Sequence, residues 1–265
     1  MRLLIVVIII AIILGSGILI RAILDNSVER NLPREVSDIP RSEYFGLIKF
    51  EPQVTENFSR AQEEYIILQS SQNLETPISL EGWSILRLSD EKLFALPNAS
   101  QPVVPNTPQL LEPIIIQPKH FVVVTSGSSP WGNSFRTNIC SGYATQLFSF
   151  SPTIKNRCPL PEDVLVLFGD ENLLLETPCV DYLNNQKTCR APLDHHQTSS
   201  LSASCRGFID KHINEVGCIQ DYEEYPNFFL PEWRVYLGET ELLWQDGEVL
   251  ALLDDSGFLV DAVVY

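Results

Sequence analysis

Gly247-Glu248-Val249-Leu250-Ala251-Leu252-Leu253-Asp254-Asp255-Ser256-Gly257-Phe258-Leu259-Val260-Asp261-Ala262-Val263-Val264-Tyr265 is the stretch that decides the fold. Two apolar runs flank Asp254-Asp255-Ser256-Gly257. Asp and Ser side chains favour turns by bonding nearby backbone groups, and Gly takes positive φ at no steric cost, so the pattern predicts a β-hairpin. The second strand runs to the last residue, which predicts Tyr265 held inside a sheet. A lone hairpin is marginal in water. Its partner strands must therefore come from far upstream.

Upstream, short apolar runs alternate with turn residues. Tyr65 to Gln69 precedes the polar Ser70 to Asn73, and Ile78 and Leu80 alternate with Ser79. Gly82 interrupts that alternation before Trp83 and Ile85 resume it, which predicts a bulge. Leu93 to Leu96, Ile114 to Ile116 and Phe121 to Val124 supply further strands, separated by Pro97, Pro102, Pro105, Pro108, Pro113 and Pro118. Trp233 to Leu237 returns to strand character, and Trp244-Gln245-Asp246-Gly247 turns into the terminal hairpin. Many short strands with proline-rich turns indicate a mainly β protein built as a β-sandwich.

Between these strand-rich parts lies a different composition. Residues 126–231 carry all six cysteines and three of the four histidines. Cys205, Phe208, Ile209, Ile213 and Val216 recur at helical spacing, with Ser202 or Ser204 placed to cap the start and Gly217 to end the helix. Thr177-Pro178 begins a second, shorter helix. About a hundred residues are too long for a bare loop. The stretch 126–231 is therefore read as a partly helical subdomain inserted into a sandwich spanning 62–265.

Cys140, Cys158, Cys179, Cys189, Cys205 and Cys218 are even in number and lack zinc-ribbon spacing, which favours disulfides. Six cysteines permit fifteen pairings. If the two helices form an antiparallel hairpin, Cys179 meets Cys218 and Cys189 meets Cys205, leaving Cys140 with Cys158. Disulfides require an oxidising compartment, so the bulk of the chain is expected outside the cytoplasm. Leu3 to Ile20 is an 18-residue run, apolar but for Ser16, between Arg2 and Arg21. At about 1.5 Å per helical residue it spans roughly 27 Å, close to a bilayer's hydrocarbon core. Residues 1–24 are accordingly expected to be a single-pass transmembrane anchor, and 25–60 a spacer, with Tyr44 to Phe50 as a possible edge strand. The rival reading of 1–24, a cleaved signal peptide with Gly15-Ser16-Gly17 as the small-residue site, fits less well because Ile18-Leu19-Ile20 continue the apolar run.

Leu80-Glu81-Gly82-Trp83-Ser84-Ile85, Gln117-Pro118 before Phe121-Val122-Val123-Val124, Gly247-Glu248, and Asp254-Asp255-Ser256-Gly257 ending in Val260-Asp261 together resemble the lamin-tail domain. That family is an immunoglobulin-like β-sandwich, found in nuclear lamins and on bacterial envelope proteins. The resemblance covers residues 62–125 and 232–265. Lys119 stands where the family commonly carries glycine, and Glu248 where it commonly carries aspartate. Gly127-Ser128-Ser129-Pro130, Phe135-Arg136, Cys140 and Gly142-Tyr143 are similar to membrane-anchored bacterial forms with a cysteine-bearing insertion. The resemblance implies a binding or scaffolding module and brings no shared catalytic residues.

The net charge of −16, from 34 acidic and 18 basic residues with no basic cluster in the sequence, argues against a phosphate-binding face, so no nucleic-acid partner is expected. No Gly-x-Ser-x-Gly elbow, His-Glu-x-x-His pair or phosphate loop occurs. Asp194, His195 and His196 are the weak candidates for a metal site, since neutral imidazole binds zinc or copper. Adjacent residues rarely face one ion, however, and no metal or other cofactor is expected. Asp221, Glu223 and Glu224 form the densest carboxylate group, and Asp254-Asp255 another, which glycosidase or calcium chemistry would require. His120 and His212 are expected to be structural. Trp131, Phe135, Tyr143, Phe148 and Phe150 are either a contact surface or a small core of their own. The expected function is a non-enzymatic, membrane-anchored binding or scaffolding protein of the cell envelope, with a protein or envelope polymer as partner. The alternative is an envelope-polymer hydrolase with its site between insertion and sandwich.

Overall fold

A computed structural model describes residues 34–51, 58–101 and 110–265. The expected anchor, 1–24, and residues 25–33 and 52–57 of the expected spacer lie outside the described residues. Among the described residues no helix is long and apolar enough to cross a membrane.

The terminal hairpin forms as β12 (Val249–Leu253) and β13 (Leu259–Val264), paired antiparallel with Ala251 opposite Ala262. Its turn is fastened by the Asp254 carboxylate, which accepts from the backbone N–H of Ser256 and of Phe258, both at 2.9 Å. Tyr265 donates its N–H to Glu248 O at 2.9 Å and stacks on Trp244, with ring centroids 4.3 Å apart. The last residue is held in place as its sequence context implies. β12 also pairs with β4 (Ser84–Arg87), which pairs with β5 (Lys92–Ala95), giving a four-stranded sheet ordered β13-β12-β4-β5.

The second sheet has seven strands, β1-β2-β9-β11-β10-β6-β7, and draws on almost the whole described chain. These are β1 (Ile48–Phe50), β2 (Tyr65–Ser70), β6 (Ala99–Ser100), β7 (Leu111–Glu112), β9 (Phe121–Thr125), β10 (Ser134–Asn138) and β11 (Phe229–Tyr236). β9 and β11 run parallel, with Val124 beside Val235. Two further short strands, β3 (Ile78–Ser79) and β8 (Ile115–Ile116), pair separately. Ile66, Leu68, Val122, Val124, Trp233 and Val235 from the large sheet share one buried core with Ile85, Phe94, Leu250, Leu252 and Val260 from the small one. The two sheets therefore face each other across a common apolar layer, the burial that holds distant segments together.

The expected spacer does not run free to residue 60: its run Tyr44 to Phe50 supplies the expected edge strand, β1, to the large sheet, and Phe50 N–H donates to the Asp261 carboxylate at 2.7 Å. α1 (Arg34–Ser37) places Val36 on the outer face of the small sheet, against Val249, Ala251 and Leu253. Those alternate β12 residues need cover too, which explains why every residue of β12 is buried. The insertion is narrower than 126–231, because β10 belongs to the large sheet and only 139–228 leaves it. Gly82 sits in the turn before β4 at φ +77°, not in a bulge. That region of φ favours glycine, and a Cβ there would also lie 3.1 Å from the Asp255 Cβ.

Lys119 occupies the left-handed region too, at φ +67°. A side chain there is strained, so Lys119→Gly is expected to raise stability by about 1 kcal/mol, the scale of the left-handed penalty. Chemical denaturation of the two forms measures it.

Candidate functional site

Asn138 ends β10, accepts the N–H of Cys140 in its side chain and donates its own N–H to the Ser141 hydroxyl. There the chain leaves the sheet, and it returns where Ile139 N–H donates to Phe228 O at 3.0 Å. The excursion 139–228 thus begins and ends at one point. Within it lie α2 (Pro161–Phe168), α3 (Glu171–Leu175), α4 (Thr177–Asn184), α5 (Ala203–His212) and α6 (Glu215–Tyr222). Pro161 opens α2, with Glu162 and Asp163 complementing the positive N-terminal end. Asp170 caps α3 by accepting from Leu173 N–H.

One long helix ending at Gly217 is not what forms. Ser202 does cap α5, but Ile213 leaves helical conformation and Asn214 restarts the chain as α6, accepting from Gly217 N–H at 2.9 Å. Gly217 lies inside α6, where a Cβ would stand 2.0 Å from Lys211 O. Its role is close approach of the two helices, not termination.

That break overturns all three expected disulfides. Cys140 pairs with Cys218, Cys158 with Cys189 and Cys179 with Cys205, with Cα separations of 5.8, 5.2 and 5.8 Å. The expected Cys140–Cys158, Cys179–Cys218 and Cys189–Cys205 pairs assumed two helices in a single hairpin. Instead the first turns of α4 and α5 meet through Cys179 and Cys205. The restarted α6 brings Cys218 back to the end of β10, where Cys140 waits. The bridges join Leu165, Leu183, Phe208, Ile209 and Ile219 in a core separate from that of the sandwich.

The candidate chemical groups do not converge. Asp194 and His196 are exposed, and the Asp194 carboxylate accepts the His196 N–H at 2.9 Å as the cap of a short 3₁₀ turn that also includes His195. Among the described residues no three His, Cys, Asp or Glu side chains are grouped to hold a metal ion. Asp221 is 2.7 Å from Nδ1 of buried His212, a pair that ties α5 to α6, while Glu223 and Glu224 are exposed. The His212 ring also stacks on Phe168. His120 is buried at the start of β9, and burial lowers its pKa, with the Arg136 charge a smaller cause. Of the aromatics, Phe135 and Phe150 are buried in a small core with Tyr236 over the outer face of the large sheet. Tyr143 is buried within the excursion, Trp131 is half-buried, and Phe148 is the exposed one.

Glu64 is a buried carboxylate that the sequence does not distinguish from Glu63. It lies just before β2, 1% exposed, and accepts from the Ser126 hydroxyl and from the N–H groups of Leu243 and Trp244. Burial raises its pKa against those three bonds. Asp261, half-buried on β13 with its carboxylate against Phe50 N–H of β1, is pushed up to about 6 by desolvation. Its folded pKa exceeds the ordinary 3.8, so its favourable contribution is complete below about pH 4 and is lost as pH rises through about 6. Asp261→Asn keeps an acceptor for Phe50 N–H and cannot ionise. The variant's stability relative to the parent is expected to be higher at pH 7.5 than at pH 4 by about 1–3 kcal/mol. Denaturation of both proteins at the two pH values measures this, and the difference cancels groups such as Glu215 that titrate in both.

What the excursion does present is apolar surface. Ten of the sixteen large apolar side chains exposed among the described residues lie in 139–228, including Val166 at 68% and Leu175 at 82%. Val166 and Leu167 stand on the outer face of α2, and Leu174 and Leu175 on that of α3, which follows after Gly169-Asp170. The signal is in the sequence: Val164 to Phe168 and Leu173 to Leu175 are apolar runs wider than one helix face can bury.

Fold and site together define a mainly β protein, two larger sheets packed face to face, carrying a disulfide-braced helical excursion with exposed apolar side chains. Comparison with protein-family models, with curated proteins and with solved structures returned no match.

Proposed function

We propose that this protein is a non-enzymatic, membrane-tethered display module of the cell envelope, an immunoglobulin-like sandwich of lamin-tail type that holds its excursion out to a partner. The observation that carries the reading is the exposed apolar face on a subdomain that three disulfides brace. Large exposed apolar patches mark contact surfaces, and rigid bracing lowers the entropy lost on binding. Pairing of all six cysteines supports an oxidising location, and the apolar run Leu3 to Ile20 supports the tether.

The test replaces 139–228 by a short Gly/Ser turn between the two ends that already hydrogen-bond. The sandwich is expected to keep its β circular-dichroism signal while cross-linking to envelope components from the remaining chain disappears. A replaced form that keeps every cross-linked partner contradicts the reading. Hydrolysis of envelope polymer by the intact chain contradicts its non-enzymatic part.

A further inference from the structure

We infer that the outer face of α2 and α3 docks a cationic amphipathic helix of a partner protein, a step that rests on the display reading above. The residues from Pro159 to Pro178 include Glu162, Asp163, Asp170, Glu171 and Glu176 and no Lys or Arg. Asp170 is engaged as the cap of α3, and Glu176 accepts from the Ser202 hydroxyl at 2.8 Å. Among the described residues none of the five forms an ion pair. Elsewhere exposed acids do find bases, as where Lys92 meets Glu239 and Glu241 at 2.9 and 2.6 Å. Four exposed apolar side chains, Val166, Leu167, Leu174 and Leu175, therefore share two consecutive helices with acidic side chains that form no ion pair, the nearest bases in sequence being Lys155 and Arg157 upstream.

That combination selects among occupants. A second copy would bring the same acids face to face, and like charges oppose one another at a shared interface. An anionic bilayer is opposed for the same reason. A helix with leucines on one stripe and lysines or arginines beside it satisfies both features: the stripe covers the apolar side chains, and the cations meet the acids. This is helix recognition by apolar anchors with charge setting specificity and on-rate.

The test uses the full chain in zwitterionic nanodiscs, with empty nanodiscs as control. The probes are two dye-labelled 18-residue helical peptides, one of leucine and lysine and one with glutamate in place of lysine. The lysine peptide is expected to bind at least tenfold tighter than the glutamate peptide. Leu167→Ser with Leu175→Ser, which alters exposed side chains and leaves net charge unchanged, is expected to weaken it at least tenfold. That control separates docking on this face from general attraction to an acidic protein. Glu162→Gln with Glu171→Gln is expected to flatten the salt dependence and cost threefold or more. Equal binding of the two peptides, no binding, or binding indifferent to the serine changes overturns the inference. A photo-crosslinker at position 167, compared with one at Leu93 on the sandwich, separates that failure from failure of the display reading. Envelope partners captured at 167 while the peptides fail would leave display standing and remove the cationic helix. Capture at neither position, or at 93 alone, would remove both.

Discussion

Replacing Cys140 and Cys218 together by serine is expected to lower the unfolding free energy by roughly 4–5 kcal/mol, the entropic value for a closed loop of this size. This bridge has the largest sequence separation of the three, 78 residues against 31 and 26. In the chain-entropy account the denatured ensemble gains most freedom when the longest loop opens. The Cys158–Cys189 and Cys179–Cys205 bridges should each contribute about 3–4 kcal/mol by the same reasoning. The location matters as well as the size. Cys140 lies two residues beyond β10, so its bridge fastens the excursion to the large sheet, whereas Cys179–Cys205 joins helices within it. Removing Cys140–Cys218 should therefore loosen the excursion's near-ultraviolet circular dichroism before the β signal of the sandwich changes. Simultaneous loss of both signals would show that the two cores are not separable. Thermal and denaturant melts followed at the two wavelengths give the result.

Glu64→Ala is expected to destabilise by about 3–5 kcal/mol, because it strands three buried donors, each unmet group costing about 1–3 kcal/mol. Those donors are the Ser126 hydroxyl and the N–H groups of Leu243 and Trp244. They belong to two separate connections, so the carboxylate knits the approach to β2 to the segment entering the terminal hairpin. Glu64→Gln retains one amide oxygen as acceptor and should lose less. Urea melts of the two variants against the parent test the ordering, and an alanine form as stable as the parent would show that water replaces the carboxylate. The larger stake is the hairpin: Trp244 stacks on Tyr265, so release of this segment should also free the last strand.

Most of the sandwich was legible because its signals are local. Asp254 to Gly257 announces a turn through side-chain bonding, and β2, β9 and β12 announce themselves through apolar runs. Covalent pairing was not legible, because it depends on where α5 stops. Ile213 is a good core residue at helical spacing, and nothing in its type reveals that Asn214 will recapture the chain as a new cap. Once the helix divides, Cys218 turns toward β10 and every expected pairing falls with it. The edge of the insertion is hidden in the sequence for a related reason. Ser134 to Asn138 is a polar-looking strand whose partner, β11, lies about a hundred residues on. The candidate site was half legible. The runs at Val164 to Phe168 and Leu173 to Leu175 are visible in sequence, but which side chains remain exposed depends on how α2 and α3 pack on α4. The Asp194-His195-His196 cluster stands out by residue type, yet its aspartate serves a turn.

Peptide mapping without reduction, on the full chain isolated from cells with thiols blocked at lysis, tests most directly the claim that the excursion is an oxidised unit closed on itself. Cross-linked fragments joining Cys140 to Cys218, Cys158 to Cys189 and Cys179 to Cys205, with no blocked thiol, are the predicted result. Free thiols throughout 140–218, or Cys140 joined to Cys158, would contradict it.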